Sequence, residues 1–198
     1  VLAIGARPRM IGFEGEEAFK GHGVAYCATC DGEFFAGKEV FVVGGGFAAA
    51  EESVFLTKYA THVTVLVRED DFTCAKSVAQ HTYENEKITV LTNTEVVKVE
   101  GDSLLRSITY KNNKTGEVTT YEAKENDTFG VFVFAGYVPA TGIVKDLGIL
   151  DERGYIVTDR SQKTALEGVY AAGDVCIKPL RQVVTTVGDA GLAATELE

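Results

Sequence analysis

The chain has 198 residues and a net charge of −10 at pH 7, with 45% hydrophobic and 24% charged residues. This composition is typical of a globular protein with a sizeable core, and the negative charge disfavours nucleic acid as a partner. No apolar run approaches the roughly 20 residues of a membrane span, and no signal peptide opens the chain, so we expect no membrane partner.

The first half of the chain has the pattern of a βαβ unit. Val1–Ile4 predicts a short buried strand, and a glycine-rich connection follows up to Gly23. Strand Lys38–Val43, helix Ala48–Ala60 and strand His62–Val67 come next, with a glycine turn between the first strand and the helix. Strand, glycine turn, helix and strand in this order predict an α/β fold.

A helix near Ala75–Asn85 and a short strand at Ile88–Leu91 are predicted after this unit. Leu104–Ala123 alternates β-forming residues around the polar turn Asn112–Gly116, which predicts a β-hairpin. The continuous apolar run Thr128–Gly136 predicts a strand that is buried on both faces.

The last part of the chain follows a domain boundary near Gly136 and Pro139. A strand at Gly168–Asp174 and a closing helix from about Arg181 are predicted there. Because the chain begins inside an apolar run and ends inside a helical pattern, we expect it to be a fragment of a longer protein.

The glycine turn fits the dinucleotide-binding pattern G-x-G-x-x-G/A. The first glycine permits the turn, the second lets a pyrophosphate approach the backbone, and the small third position lets helix and strand pack closely. The helix N-terminus supplies free N–H groups for the phosphates. The predicted cofactor-binding residues here are Gly44, Gly45, Gly46, Phe47, Ala48 and Ala49.

The residues after the second strand of the unit normally contact the ribose. Glu69 lies 23 positions after Gly46, near the offset at which an acid accepts the ribose 2′-hydroxyl, whereas the adjacent Arg68 suits a 2′-phosphate. We include both in the predicted cofactor site. The alternative is a solvated charged loop.

Cys27 and Cys30 form a C-x-x-C motif with Asp31 directly behind it. A structural zinc site usually takes four cysteine or histidine ligands from two closely spaced pairs. The sequence has one C-x-x-C pair and no H-x₃₋₅-H pair, so no metal is expected. A permanent disulfide would close too small a loop to constrain the unfolded chain. A redox pair fits better, because one thiolate can attack a substrate while the second resolves the mixed disulfide. Asp31 is either a proton donor to the leaving sulfur or a helix cap.

Four segments together resemble the low-molecular-weight thioredoxin reductases of bacteria, over essentially the whole chain. They are GHGVAYCATCDGEFF, VVGGGFAAAEES, GVYAAGDV and RQVVTTVGDAG. Members of that family are flavoenzymes in which an inserted pyridine-nucleotide domain carries the redox pair and interrupts an FAD domain. The resemblance implies a Rossmann-like three-layer nucleotide-binding domain with a β-meander or hairpin, followed by the C-terminal part of a second, FAD-binding Rossmann-like domain.

The resemblance also implies domain bounds and roles. Residues 1–5 and 137–198 would belong to the FAD domain and residues 6–136 to the NAD(P)H domain, with hinges near Gly5 and Gly136. Cys30 would face the flavin, Cys27 would attack thioredoxin, and Asp31 would donate a proton. The cofactor-binding residues it implies outside the nucleotide fingerprint are Gly136, Gly173, Asp174, Arg181 and Gln182.

Two departures from the family pattern bear on the cofactors. The N-terminal FAD segment of the family, with its own glycine fingerprint, is not in this sequence, so we expect the 198-residue chain alone to bind FAD poorly. The nucleotide loop keeps Arg68 but lacks the other arginines of NADPH-specific members. The expected cofactors are therefore FAD and either NADPH or NADH. The remaining cysteines, Cys74 and Cys176, are interpreted as small apolar residues.

The leading hypothesis is a thioredoxin-disulfide reductase of the cytoplasm, a homodimer whose partner is a thioredoxin-like protein. Electrons would pass from NAD(P)H through FAD and the Cys27–Cys30 disulfide to that partner. Three alternatives remain: a ferredoxin-dependent flavin disulfide reductase, the reductase of a peroxiredoxin system, and a non-catalytic nucleotide-binding fragment.

Overall fold

The computed structural model describes residues 1–197, which form two compact units. The larger unit is Met10–Ala135, and the smaller one combines Val1–Arg9 with the chain from Gly136 onward. The larger unit is thus an insertion in the sequence of the smaller one.

The strands are β1 (Ala6–Pro8), β2 (Val24–Ala25), β3 (Glu39–Val43), β4 (His62–Leu66), β5 (Ile88–Leu91), β6 (Thr94–Gly101), β7 (Leu105–Asn112), β8 (Val118–Glu122), β9 (Gly130–Val133) and β10 (Tyr137–Pro139). The α-helices are α1 (Ala28–Asp31), α2 (Phe47–Leu56), α3 (Lys76–Tyr83) and α4 (Val183–Leu197). Two 3-10 segments add Gly32–Phe35 and Thr141–Leu147.

The chain leaves the smaller unit and returns to it beside a two-stranded ribbon. β1 pairs antiparallel with β10, and both strands belong to the smaller unit. The N–H of Arg9 donates to the carbonyl of Gly136 over 2.8 Å. Gly5 and Gly136, the expected hinge positions, have φ angles of +72° and +88°, a region that glycine occupies without strain. The ribbon therefore keeps Ala6, Arg7 and Pro8 in the smaller unit, and the inserted unit begins at Met10.

A five-stranded parallel sheet in the order β2-β9-β3-β4-β5 forms the centre of the larger unit. After Glu39 at the start of β3, the strands β3 and β9 hold only apolar residues and glycine, and all of these are buried. A strand covered on both faces needs such an uninterrupted apolar run, because neither set of alternating side chains meets water. The βαβ prediction is thereby confirmed.

Two cores cover the two faces of this sheet. On one face the helices α2 and α3 pack through small residues such as Ala49, Ala50 and Ala79. On the other face a three-stranded antiparallel sheet, β6-β7-β8, packs through Val99, Leu105 and other apolar side chains. The unit is therefore a three-layer α/β structure, as the fold prediction required.

The antiparallel sheet contains the predicted hairpin and one strand that was not predicted. β7 and β8 pair as expected around a turn at residues 113–117. β6 was missed, and it pairs with β7 through a register shift between Val96 and Lys98. Such a bulge interrupts the two-residue alternation on which recognition of a strand depends.

Two strands that were predicted in the smaller unit are wrong. Leu2 makes only an isolated parallel bridge to Ala171, and the segment Gly168–Asp174 takes part only in such bridges. The N–H of Leu2 donates to the carbonyl of Tyr170, and the N–H of Ala172 donates to that of Leu2. These two hydrogen bonds join the segments, but they do not extend into the continuous ladder of a strand pair. The predicted closing helix is confirmed as α4.

The core of the smaller unit is compact and lies against these bridges. Its buried members are Val144, Ile149, Ile156, Ala171, Val175 and Cys176. No helix within residues 1–197 has the length and apolar character needed to cross a membrane.

Candidate active site

The cysteine pair forms a disulfide across one turn at the start of α1. Cys27 directly precedes the helix, and the Cα atoms of Cys27 and Cys30 are 5.3 Å apart. The N–H of Cys30 also donates to Sγ of Cys27 over 3.2 Å. Cys27 is the N-cap, with extended backbone (φ −142°, ψ 107°), and Cys30 lies in the first turn of α1, so the C-x-x-C spacing brings the two sulfurs together across the start of the helix. Cys30 is exposed and Cys27 half-buried, which leaves the disulfide accessible.

Asp31 follows the pair and is half-buried. Its carboxylate makes no cap hydrogen bond to the 3-10 segment Gly32–Phe35 that it precedes. Burial raises the pKa of Asp31 above the ordinary aspartate value, because the charged form loses hydration. The carboxyl group therefore holds its proton to a higher pH than an exposed aspartate would.

The disulfide and the glycine turn leave the central sheet at the same edge. Ala25 of β2 and Val42 of β3 both pair with Phe132 of β9, so these three residues form one row across parallel strands. Cys27 and Gly44 each lie two residues beyond this row. Since β9 separates β2 from β3, the two strand ends are about 10 Å apart. This is the carboxyl edge, where open α/β sheets bind their ligands.

The three glycines of the turn have different surroundings. A Cβ atom at Gly44 would lie 2.7 Å from the carbonyl oxygen of Phe134, and one at Gly45 would lie 2.8 Å from Cγ1 of Val67. A Cβ atom at Gly46 would meet nothing within 4 Å. Packing thus requires glycine at positions 44 and 45. Gly46, the second glycine of the dinucleotide-binding pattern, faces open space instead. That space is where a pyrophosphate must approach the backbone.

The N-terminus of α2 has free donors beside this space. The helix begins at Phe47 without a side-chain cap and without an acid in its first turn. Within residues 1–197, the N–H groups of Phe47, Ala48 and Ala49 have no hydrogen-bond acceptor. Unsatisfied N–H groups and the positive end of the helix dipole attract phosphate. The residues present therefore fit a dinucleotide.

Arg68 and Glu69, the predicted ribose-contacting residues, bind each other. The guanidinium of Arg68 donates to Oε1 of Glu69 from Nε over 3.1 Å and from Nη2 over 2.9 Å, and both side chains are exposed. The next acid, Asp70, pairs with Lys114, which lowers the pKa of Asp70. The charge that would attract a 2′-phosphate is therefore partly neutralised within the loop itself.

In the smaller unit, the predicted flavin-binding turn is attached to α4. The N–H of Gly173 donates to Oδ2 of Asp189 over 2.9 Å, and the same carboxylate pairs with Lys178. Thr186 donates from Oγ1 to Oδ1 of Asp174 over 3.3 Å. Two contacts from the helix thus fix the Gly173–Asp174 turn, and one oxygen of Asp174 has no donor among residues 1–197.

Arg181 and Gln182 occupy the entry to α4. The Arg181 guanidinium lies 4.4 Å from the ring centroid of Tyr155, and its Nε donates to the carbonyl of Asp174 over 3.4 Å. Gln182 is exposed and directly precedes the helix. The first apolar side chains of α4 are uncovered, with Val183 79%, Val184 73% and Val187 64% exposed. An uncovered apolar surface beside a polar turn fits a flat, largely apolar ring such as that of a flavin.

The predicted residues therefore fall into two groups. The larger unit holds the cysteine pair, Asp31, the glycine turn, Arg68 and Glu69, and the structure brings the pair and the turn to one sheet edge. The smaller unit holds Gly136, Gly173, Asp174, Arg181 and Gln182. Gly136 lies at the crossing between the units, where it accepts the hydrogen bond from Arg9.

Sequence reasoning missed Glu16 and Tyr26. The hydroxyl of Tyr26, the residue before Cys27, donates to Oε1 of Glu16 over 2.9 Å. Glu16 lies in a segment that was interpreted as a plain connection, and its side chain is buried. No local pattern marks such a pair, because the bond depends on how the connection folds back on β2.

Comparisons with known proteins agree with this geometry. The profile of the family described as pyridine nucleotide-disulphide oxidoreductase matches residues 1–191. A thioredoxin reductase of Peptoclostridium acidaminophilum is 48% identical over 199 aligned residues, which cover 100% of this chain and 63% of that protein. The chain thus spans about three fifths of the length of the curated relatives that it matches.

Solved structures give the same result. The thioredoxin reductase of Streptococcus pyogenes superposes with a TM-score of 0.85 at 39% identity, over 98% of this chain and 62% of that one. The thioredoxin reductase of Lactococcus lactis gives a TM-score of 0.76 at 40% identity, over 98% of this chain and 63% of that one.

Proposed function

The chain belongs to the pyridine nucleotide-disulphide oxidoreductase family, and on that premise we propose that the protein is a thioredoxin-disulfide reductase. Electrons pass from NAD(P)H through FAD to the Cys27–Cys30 disulfide, and from there to thioredoxin or a similar protein. The observation that carries this proposal is the accessible disulfide at the same sheet edge as an open dinucleotide-binding turn.

Two groups of residues hold the cofactors in this proposal. The N–H groups at the start of α2, beside Gly46, bind the pyrophosphate of the nicotinamide nucleotide. Asp174 would accept hydrogen bonds from the flavin, and Arg181, Gln182 and the uncovered valines of α4 would pack against its ring. FAD supplies the step between a two-electron hydride donor and a disulfide.

Asp31 and the cysteines carry the disulfide chemistry. Reduction breaks the Sγ–Sγ bond with two electrons and two protons, and it leaves one thiol on each cysteine. The carboxyl of Asp31, which burial keeps protonated to a higher pH, delivers one of these protons.

Thiol–disulfide exchange then regenerates the pair. The thiolate of Cys27 attacks one sulfur of the partner disulfide, forms a mixed disulfide and releases the first partner thiolate. The thiolate of Cys30 attacks Sγ of Cys27, which restores the Cys27–Cys30 disulfide and releases the second partner thiolate. Each leaving thiolate takes up a proton, so the partner gains two electrons and two protons in total.

The nucleotide is NADPH or NADH, and the Arg68–Glu69 pair bears on the choice. A free arginine favours a 2′-phosphate, whereas an acid at this place favours a 2′-hydroxyl and repels the phosphate. Because the two side chains neutralise each other, we propose weaker discrimination than an unopposed arginine would give.

We propose that the protein is a homodimer of the cytoplasm. Exposed apolar side chains further along α4, Leu192 and Leu197, support self-association, because uncovered apolar surface marks an interaction site. An enzyme that reduces disulfides with NAD(P)H also needs a compartment in which thiols stay reduced.

The decisive experiment uses Cys30→Ser in the full-length enzyme, with reduction of thioredoxin coupled to DTNB as the assay. We expect the activity to fall at least 1,000-fold (about 4 kcal/mol of transition-state free energy) because the mixed disulfide can no longer be resolved. Cys74→Ser, which changes a cysteine outside the pair, is the control with retained activity. Unchanged turnover of Cys30→Ser would refute the proposal.

The electron donor separates the main alternatives. If neither NADPH nor NADH bleaches the visible band of bound flavin, a ferredoxin-linked reductase takes the place of this proposal. The second outcome is that the flavin is reduced and the enzyme then reduces a peroxiredoxin-reducing protein but not thioredoxin. In that case the partner belongs to a peroxiredoxin system. Nucleotide binding without any turnover would leave a binding module.

A further inference from the structure

Glu16 is a buried acid outside the redox pair. Its side chain is only 1% exposed. Burial of a carboxylate costs free energy unless hydrogen-bond donors satisfy it. The carboxylate of Glu16 has three such donors. The N–H of Ile11 donates over 3.0 Å, the N–H of Gly12 over 2.6 Å, and the hydroxyl of Tyr26 over 2.9 Å.

Tyr26 is the last anchored residue before the disulfide. It follows the two-residue strand β2, which pairs with β9 and also bridges from Val24 to Lys20. Tyr26 directly precedes Cys27. Burial and, after it, the hydrogen bond to Glu16 raise the pKa of Tyr26 above the ordinary tyrosine value, so its hydroxyl stays a donor. The ammonium of Lys20 lies 5.9 Å from the centre of its ring.

The segment that carries Glu16 is itself fixed. The N–H of Glu14 donates to the carbonyl of Val97 over 3.1 Å, and the N–H of Val99 donates to the carbonyl of Glu14 over 2.9 Å. Both partners are in β6. The carboxylate of Glu16 therefore links Tyr26 to a segment that is hydrogen-bonded to β6.

We propose that Glu16 and Tyr26 are positioning residues for the redox pair, and we call their hydrogen bond the Glu16–Tyr26 clasp. The clasp fixes the backbone that enters Cys27, and it thereby sets the reduction potential of the Cys27–Cys30 disulfide. The inference rests on the proposed function only where it takes this disulfide to be the working pair.

Effective concentration explains why the clasp acts on the potential. In the dithiol form the two sulfurs are no longer bonded, and their encounter depends on how firmly each backbone segment is held. Firm orientation raises the effective concentration of one thiol at the other, which favours the disulfide. Loss of the clasp frees Cys27 in the dithiol form, so the disulfide becomes easier to reduce.

The test measures the disulfide by exchange with dithiothreitol, which supplies the two electrons and two protons and is oxidised to its cyclic disulfide. The intact chain and the Tyr26→Phe variant are equilibrated at graded ratios of reduced to oxidised reagent. The thiols are then trapped with a maleimide and counted by mass. This assay needs neither flavin nor a protein partner.

We expect Tyr26→Phe to increase the equilibrium constant for reduction about threefold to tenfold, or about 15–30 mV toward a more oxidising potential. Glu16→Gln keeps the shape of the side chain but replaces one acceptor oxygen with a donor, so we expect a smaller shift in the same direction. Tyr83→Phe is the matched control, because Tyr83 also donates to a carboxylate of the larger unit, that of Asp71 over 2.7 Å. Its disulfide potential should equal that of the parent.

A second measurement separates positioning from loss of stability. Urea unfolding of the oxidised proteins gives the stability of each variant. If Tyr26→Phe unfolds at lower urea but its potential stays within twofold of the parent constant, the clasp supports the fold only and the proposal is overturned. A failure of the proposed function would show instead as unchanged thioredoxin reduction by Cys30→Ser, whatever the potential of Tyr26→Phe.

Discussion

Cys27 and Gly44 lie at the same edge of the central sheet, each two residues beyond the row formed by Ala25, Phe132 and Val42. The disulfide and the nucleotide turn are thus two separate features on one rigid support. A substitution in one leaves the other in place, so their contributions can be measured independently.

Gly44 and Gly46 should respond differently to alanine. At Gly44 a methyl group meets the carbonyl of Phe134 at 2.7 Å, and we expect Gly44→Ala to lower the free energy of unfolding by about 1–3 kcal/mol. At Gly46 the chain leaves room, so Gly46→Ala should cost less than about 1 kcal/mol while blocking the approach of a pyrophosphate. Urea unfolding and calorimetry with NADP⁺ and NAD⁺ test this pair.

For Gly46→Ala we expect nucleotide affinity to fall at least tenfold, about 1.4 kcal/mol. An affinity equal to that of the parent would mean that the turn is only structural.

Asp31→Asn should change how stability depends on pH. The pKa of Asp31 is raised in the folded protein, so the folded state binds more protons than the unfolded state between the ordinary aspartate pKa and the raised one. Stability from this group is fully present below that window and is lost as pH rises through it. The asparagine variant lacks this loss, so its stability relative to that of the parent protein should increase as pH rises across the window.

Urea midpoints of both proteins from pH 3 to pH 7 provide the measurement. A difference between the two proteins that stays constant over this range would contradict the raised pKa. In the assembled enzyme, the same variant should also lose the part of the reduction rate that depends on a proton donor.

Cys74 and Cys176 should differ in reactivity toward iodoacetamide. Burial raises the pKa of the Cys176 thiol to about 11, so almost none of it is thiolate at neutral pH, and the side chain is enclosed in the core of the smaller unit. Cys74 is partly exposed. At pH 8 in the reduced protein, we expect Cys74 to be alkylated at least tenfold faster, a difference that mass mapping of peptides measures.

Urea at a concentration that unfolds the protein should remove this difference, because both thiols then have ordinary pKa values and access. Equal rates in the folded protein would show that the enclosure of Cys176 opens readily.

Glu69→Gln should shift the nucleotide preference toward NADPH. Glu69 accepts two hydrogen bonds from Arg68, and its charge also repels a 2′-phosphate. Removing the charge frees Arg68, and we expect the ratio of NADP⁺ to NAD⁺ affinity to increase about threefold to tenfold, about 0.6–1.4 kcal/mol at an exposed site. Calorimetry at low and high salt measures it, and the gain should shrink at high salt.

Glu51→Gln, which removes a charge from the exposed side of α2, is the control for the change in net charge. A shift of the same size in that variant would assign the effect to overall charge and not to the Arg68–Glu69 pair.

The local patterns of the sequence determined the strands β3, β4 and β5, the glycine turn, the hairpin β7–β8 and the closeness of Cys27 to Cys30. Each depends on residues near one another in the chain: an apolar run, a glycine spacing, or a separation of three residues across one helical turn. Such patterns can be recognised in the sequence without knowing which strand or helix each segment packs against.

Only the tertiary structure decided the rest. The bulge between Val96 and Lys98 hid β6, and a strand of two residues, β2, placed the disulfide beside β9. The burial of Glu16 and its bond to Tyr26 depend on a connection that folds back over ten positions. Pairing and burial are properties of segments that meet in space, and the free energy of such a contact is shared by residues that no local pattern links.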